Sequence, residues 1–113
     1  MMLRTVIERL GLNPCGPVDP DREVTGAYAG DLLSDVMAHS QPGHLWLTIQ
    51  VHVNIVAVAV LREHAAIIVV NGREPAPETL ARAAEEHQVI LTSPLSAFEL
   101  CGRLHALGIG GGT

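Results

Sequence analysis

The chain has 113 residues, a formal net charge of −5, 48% hydrophobic residues and only 3% aromatic ones. That length suits a single domain able to bury its own core. All seven basic residues are Arg, scattered from Arg4 to Arg103; this removes the basic face that nucleic-acid binding needs and every chemistry that depends on Lys.

The core must be built from Ile, Val, Leu and Ala, a composition suited to a parallel sheet covered on both faces by helices. Low charge also leaves room for an apolar homo-oligomer interface. The longest apolar run, Ile55 to Leu61, is too short to span a bilayer. The start Met-Met-Leu-Arg-Thr lacks the apolar core of a secretory signal. Cys15 and Cys101 lie far apart and in no metal-ligand spacing. The expectation is a cytoplasmic protein with reduced thiols, outside any membrane.

Thr5-Val6-Ile7-Glu8 matches a capping box and Gly11 is placed to stop the helix it opens. Asn13 to Asp21, with three Pro, reads as a loop leading to a short first strand at Arg22 to Thr25. Gly26 to Asp31 reads as a tight turn with Asp31 as N-cap. Leu32, Leu33, Val36 and Met37 then recur at helical spacing. Although helix N-termini attract anions, the Asp31 carboxylate opposes one here, and the pattern is not a dinucleotide fingerprint.

Pro42-Gly43 marks a turn before Leu45 to Gln50, the expected central strand. Asn54 is placed to cap the next segment, Ile55 to His64. Periodicity does not decide that segment: Ala57 and Ala59 favour helix, whereas Ile55, Val56, Val58 and Val60 favour strand. Ala65 to Val70 is a buried strand closed by Asn71-Gly72. Pro77 fits a first helical turn, followed by Leu80, Ala83, Ala84 and His87 on one face. Val89 to Leu91 is the last strand. Thr92-Ser93-Pro94 caps the final helix, with Ser96 to Glu99 as a second capping box, and Phe98, Cys101 and Leu104 are its expected inner stripe. Gly108 ends it. The organisation is one domain over residues 1–109 and a flexible Gly-rich tail at 110–113.

Val24-Thr25-Gly26-Ala27-Tyr28, Gly30 to Met37, Leu47-Thr48-Ile49-Gln50 with His52, Asn54 to Ala59, and Pro94 to Leu100 together resemble DRTGG-type domains in matching order. The resemblance implies a three-layer α/β/α sandwich with a mainly parallel sheet of about four strands, similar to the N-terminal domain of HPr kinase/phosphorylase. It makes Asn54 to His64 a helix. It also implies a regulatory, dimer-forming module, nucleotide-responsive or acting on a partner enzyme. Kinase chemistry in that family belongs to a separate P-loop domain that these residues do not contain. Ala27, His52-Val53-Asn54 and Asn71-Gly72 depart from the family's usual turns.

In a parallel sheet, ligands bind outside the C-terminal strand ends. The candidate ligand-binding residues are therefore Thr25, Gly26, Asp31, Gln50, His52, Asn54, Asn71, Gly72, Thr92 and Ser93. Polar turns and caps explain the same residues without a ligand. A small enzyme using His52 with Asp31 or Asp35 is the alternative. Ser34 and Ser96 lack a nucleophile elbow. The six His form no metal-ligand spacing, and no pattern names a cofactor.

Overall fold

The computed structural model describes residues 1–111, so the last two positions of the expected tail lie outside the described residues. The elements run α1 (Leu3–Leu10), β1 (Asn13–Pro14), β2 (Gly26–Ala29), α2 (Leu33–His39), β3 (His44–Thr48), α3 (Asn54–Leu61), β4 (Ala66–Val69), α4 (Pro77–Glu85), β5 (Ile90–Thr92) and α5 (Ala97–Ala106). The sheet order is β1-β5-β4-β3-β2. β2 to β5 pair in parallel, and β1 adds an antiparallel edge through Asn13 opposite Thr92. The expected sandwich is present, with five strands rather than about four.

Strand order follows chain order from β2 to β5. Crossovers of one hand then place their helices on one face of the sheet. On that face Val36 of α2, Ile55, Val56 and Ala59 of α3 and Ala83 of α4 pack against Trp46, Ile67, Val69 and Ile90. On the other, Leu3 and Val6 of α1 and Leu100 and Leu104 of α5 pack against Leu45, Leu47, Ala66, Ile68 and Leu91. Each inner strand thus feeds alternate side chains to two cores, as the pleat requires. β4 lies in the middle and is buried at all four positions; β3, expected as the central strand, lies beside it.

Several expectations fail locally. The first parallel strand is β2, Gly26–Ala29, not Arg22 to Thr25. Residues 22–24 instead face the chain start: Met2 bridges Glu23 and the Val24 N–H donates to Met1 O at 2.8 Å. Consequently Gly26 to Ala29 is not a turn. Helix α1 begins at Leu3, ahead of the Thr5 capping box, because the Leu3 and Arg4 N–H groups find Arg22 O and Pro20 O at 2.9 and 3.0 Å. The supposed loop at 13–21 opens with β1. Asp31 does not cap α2, and Asn54 opens α3 without a capping hydrogen bond. Ser96, not Thr92-Ser93, caps α5, its hydroxyl accepting from Glu99 N. Phe98 is 89% exposed, since two residues turn a helix by about 200° and Leu100 faces inward. Ala84 and His87 are likewise exposed, while Thr79 and Ala83 are the buried residues of α4.

Gly11 stops α1 in the left-handed region as expected (φ 61°). Gly43 needs its positive φ of 81° and its missing side chain, because a Cβ there would sit 2.6 Å from Thr25 Oγ1. Gly110 O accepts from Ala27 N at 2.9 Å, tying the first residue of the expected tail to β2.

Behind α3 lies a buried polar cluster. Ser40 Oγ donates to Val36 O at 2.6 Å and accepts from His64 Nε2 at 2.8 Å. The His64 ring meets Trp46 edge-on, with centroids 5.6 Å apart. Burial, then the neighbouring His44, Arg62 and Arg22, pushes the His64 pKa down to about 4. The folded protein therefore keeps His64 neutral where an unfolded chain protonates it. Stability from this group is complete above about pH 6.5 and falls as pH drops toward 4. Urea unfolding at pH 7 and pH 4.5 should show a loss of roughly 2–3 kcal/mol that a His64→Gln variant lacks; parallel profiles for the two proteins contradict this assignment.

Glu63 follows the α3 C-cap at φ 55°, a position where glycine escapes the steric penalty of the left-handed region. Its role in contacts is through its carbonyl, which accepts from Gly43 N and Arg22 Nη2. Glu63→Gly should raise stability by about 0.5–1 kcal/mol in chemical denaturation.

Candidate functional site

The C-terminal strand ends gather on one edge of the sheet. At the end of β2 and β3, Asp31 Oδ1 accepts from Thr48 Oγ1 and from Ile49 N, both at 2.9 Å. Thr48 Oγ1 in turn accepts from Gln50 N at 3.1 Å, and Gln50 Nε2 donates to Asp31 O at 3.0 Å. Asp31 thus clamps two strand ends together instead of capping a helix. Across the sheet, Asn71 and Gly72 both adopt positive φ. Their N–H groups donate to Leu95 O and Ser93 O at 2.9 Å, joining the β4 exit to the β5 exit. Ser93 N donates to Val69 O, and Ser93 Oγ accepts from Leu95 N. Val51 O receives Ala76 N and Thr79 Oγ1.

Eight of the ten predicted residues lie along this edge, though not all at the surface. Asp31, His52, Asn54, Asn71 and Gly72 are exposed and Gln50 is half-buried, while Thr92 and Ser93 are buried beneath. Thr25 and Gly26 belong to the opposite edge. Gly26 begins β2 opposite His44, and Thr25 Oγ1 donates to Pro42 O at 2.7 Å. Their placement followed from the shifted first strand, and with it they leave the C-terminal edge.

Two residues on the edge escaped sequence reading. Thr48 is 1% exposed and organises the Asp31 contact; its signal was a lone hydroxyl closing an apolar strand. Arg73, exposed beside the Asn71-Gly72 turn, forms none of the ion pairs that engage Arg4, Arg82 and Arg103. Its signal was an Arg directly after an Asn-Gly turn at a strand end.

The edge's backbone donors at Gly30, Ile49, Gln50, Asn71, Gly72 and Ser93 are already paired within the chain. The side chains on this edge that can meet a ligand are Gln50, His52, Asn54, Asn71 and Arg73. This set can hydrogen-bond a polar heterocycle or sugar and offers one cation to an anion.

For proton transfer the geometry is poor. Asp31 is engaged by Thr48, and Asp35 accepts from the Tyr28 hydroxyl on one oxygen and lies 3.0 Å from His39 Nδ1 on the other. The Asp35 hydrogen bond also raises the Tyr28 pKa. Burial raises both thiol pKa values, at Cys15 and Cys101, which keeps them weak nucleophiles.

Cavities also occur at the other end of the sheet. One of about 170 Å³ lies between Cys15, Val18, Leu80, Ala83 and Ile90, and a second of about 200 Å³ between Arg22, Glu63, His64 and Gln88. The first is walled mainly by apolar groups. The loops of the polar C-terminal edge are instead laced together by the hydrogen bonds above.

Asp31→Ala should destabilise the fold by about 1–3 kcal/mol, since it strands the buried Thr48 hydroxyl and the Ile49 N–H. Asp31→Asn keeps an accepting oxygen and should lose less than half of that. Equal losses in urea titration would show that charge, not acceptance, matters.

No family model matches the sequence, and no curated protein matches it. Among solved structures, the chain is similar to the crystal structure of the CBS and DRTGG domains of the regulatory region of Clostridium perfringens pyrophosphatase, complexed with the activator diadenosine tetraphosphate. The TM-score is 0.74 at 16% sequence identity, covering 96% of this chain and 47% of that one. The chain therefore spans about half the length of that structure. The fold of this chain is that of a DRTGG-like α/β domain, as the resemblance in residues 24–37, 47–59 and 94–100 implied.

Proposed function

We propose that this chain is a non-catalytic regulatory module that responds to a small ligand of nucleotide type and passes the response to a second copy or to a partner enzyme. The observation that carries this reading is the whole-chain likeness in fold to a regulatory region solved with a dinucleotide activator. Two features are in keeping with it. The polar edge presents side chains rather than a proton-transfer pair, and Arg73, which forms no ion pair among the described residues, stands where a phosphate of such a ligand would approach.

The site we propose is Asp31, Gln50, His52, Asn54, Asn71 and Gly72, with Arg73 added and with Thr92 and Ser93 as supports beneath. Asp31 holds Gln50 in place through its own carbonyl. A ligand that displaced Gln50 would loosen the β2–β3 clamp, a direct route from binding to helix α2. We place the protein in the cytoplasm, in keeping with two free thiols and with the lack, among the described residues, of a helix long and apolar enough to cross a membrane.

A thermal-shift panel of adenosine mono-, di- and triphosphates and diadenosine tetraphosphate tests the reading. At a concentration near 100 times Kd, the correct ligand contributes about 2.7 kcal/mol, a shift of roughly 10 °C for a domain of this size. Arg73→Glu and Gln50→Ala should abolish most of the shift without lowering the unliganded melting temperature by more than a degree or two. A flat response across the panel, with a partner enzyme recovered by pull-down, would replace sensing by pure scaffolding.

A further inference from the structure

Helix α3 carries no polar side chain after Asn54, yet it is not wrapped on all sides. Ile55, Val56, Val58 and Ala59 are buried, while Val53, Ala57, Val60 and Leu61 face outward, Leu61 at 68% exposure. Spacing of four, three and one residues places these four on one stripe. The helix lies between α2 and α4 in its layer, so the stripe occupies the middle of that face of the molecule. A solvent-facing stripe in such a layer is normally polar.

Along the seam with α4 two shallow grooves flank Ala57. One, of about 140 Å³, is lined by Val53, Asn54, Ala57 and Arg82. The other, of about 180 Å³, is lined by Val56, Ala57, Val60, Leu61, Arg82 and Glu86. Arg82 therefore sits level with Ala57, and Glu86 level with Leu61. Arg82 Nε and Glu86 Oε1 are 3.4 Å apart on the α4 surface.

We propose that this face is the contact between two copies of the chain, with α3 packed antiparallel on α3 about a twofold axis level with Ala59. One rotation then satisfies two complementarities. Leu61 of each copy enters the groove at Ala57 of the other, a large residue against a small one. Arg82 of each copy meets Glu86 of the other, opposite charges at the same four-residue offset. The charges at the rim cancel within the pair, which suits a self-complementary partner rather than a strongly acidic or basic one. The molecule measures 33 × 28 × 25 Å, so a whole face is of the order of the ~800 Å² per partner that stable dimers bury. The inference deepens the dimerisation part of the proposed function and does not depend on any ligand.

Sedimentation equilibrium on the full chain tests it. Wild type should run at twice the 12.0 kDa protomer mass. Leu61→Lys, at an exposed position, should weaken the dimer at least tenfold while circular dichroism at low concentration shows an unchanged fold. Arg82→Glu should weaken it similarly, and the exchange Arg82→Glu with Glu86→Arg should restore it, because both the intrachain pair and the cross-copy pair are rebuilt. A wild-type chain that stays at 12.0 kDa at high concentration removes dimerisation altogether. A dimer indifferent to Leu61→Lys and Arg82→Glu, but broken by a charge at the exposed Phe98, keeps dimerisation and overturns this face.

Discussion

Everything in this molecule depends on β4 being buried on both sides. Ala66, Ile67, Ile68 and Val69 have essentially no solvent exposure. Such a strand has no polar face to offer water, so helices must lie above and below it. Both layers then follow from chain direction. Consecutive parallel strands laid down in one direction place α2, α3 and α4 on one face, and the segments before and after the sheet, α1 and α5, are left to cover the other. With one Trp, one Tyr and one Phe in the chain, neither core is anchored by clustered rings. Trp46 is the exception, and its indole N–H reaches Gly30 O at 2.8 Å, tying the β2 exit to the core it fills.

The same architecture determines where polar groups collect. Parallel strands end together, and their exits must find hydrogen bonds outside the sheet ladder. Here the chain supplies most of them itself: Asp31 to Thr48 and Ile49, Asn71 to Leu95, Gly72 to Ser93. The result is a laced edge whose side chains include amide, imidazole and guanidinium groups. That arrangement suits recognition far better than covalent chemistry. A nucleophile needs a base within reach, and Asp31 and Asp35 are both engaged within the chain.

Much of this was legible in the sequence, in a graded way that has physical reasons. Ala65 to Val70 announced β4 because a strand buried on both faces is a continuous apolar run. Pro77 and Gly11 announced helix ends because backbone geometry alone decides them. The first parallel strand was misplaced because Gly26-Ala27-Tyr28-Ala29 offers one good strand former, Tyr28, among Gly and Ala. It is a strand by virtue of its partner His44 to Leu47, while the better strand formers Val24 and Thr25 are drawn to the chain start and to the Pro42 turn. That shift moved Thr25 and Gly26 off the candidate edge. The role of Asp31 was misread for a related reason. A capping signal is local, whereas its true partners at Thr48 and Ile49 are 17 and 18 residues away. Phe98 misled because an i, i+3 stripe of apolar residues drifts around the helix, and the true inner pair, Leu100 and Leu104, is spaced by four.

Helix α3 is the instructive case, because there the ambiguity of the sequence corresponds to a property of the fold. Period-based reading assumes that one side of a surface helix is wet. Over α1, where Leu3 and Val6 are buried and Arg4, Glu8 and Arg9 are exposed, the assumption holds. Over α3 it fails, since Val53, Ala57, Val60 and Leu61 are apolar on the outside and Ile55, Val56, Val58 and Ala59 are apolar on the inside. No period can emerge from a helix that is apolar all round. Such a helix is expected where burial comes from two directions, one of them supplied by the chain's own sheet. The missing polar face is therefore not noise in the pattern but a second apolar surface, facing outward at the centre of its layer with only Arg82 and Glu86 of α4 along its rim among the described residues.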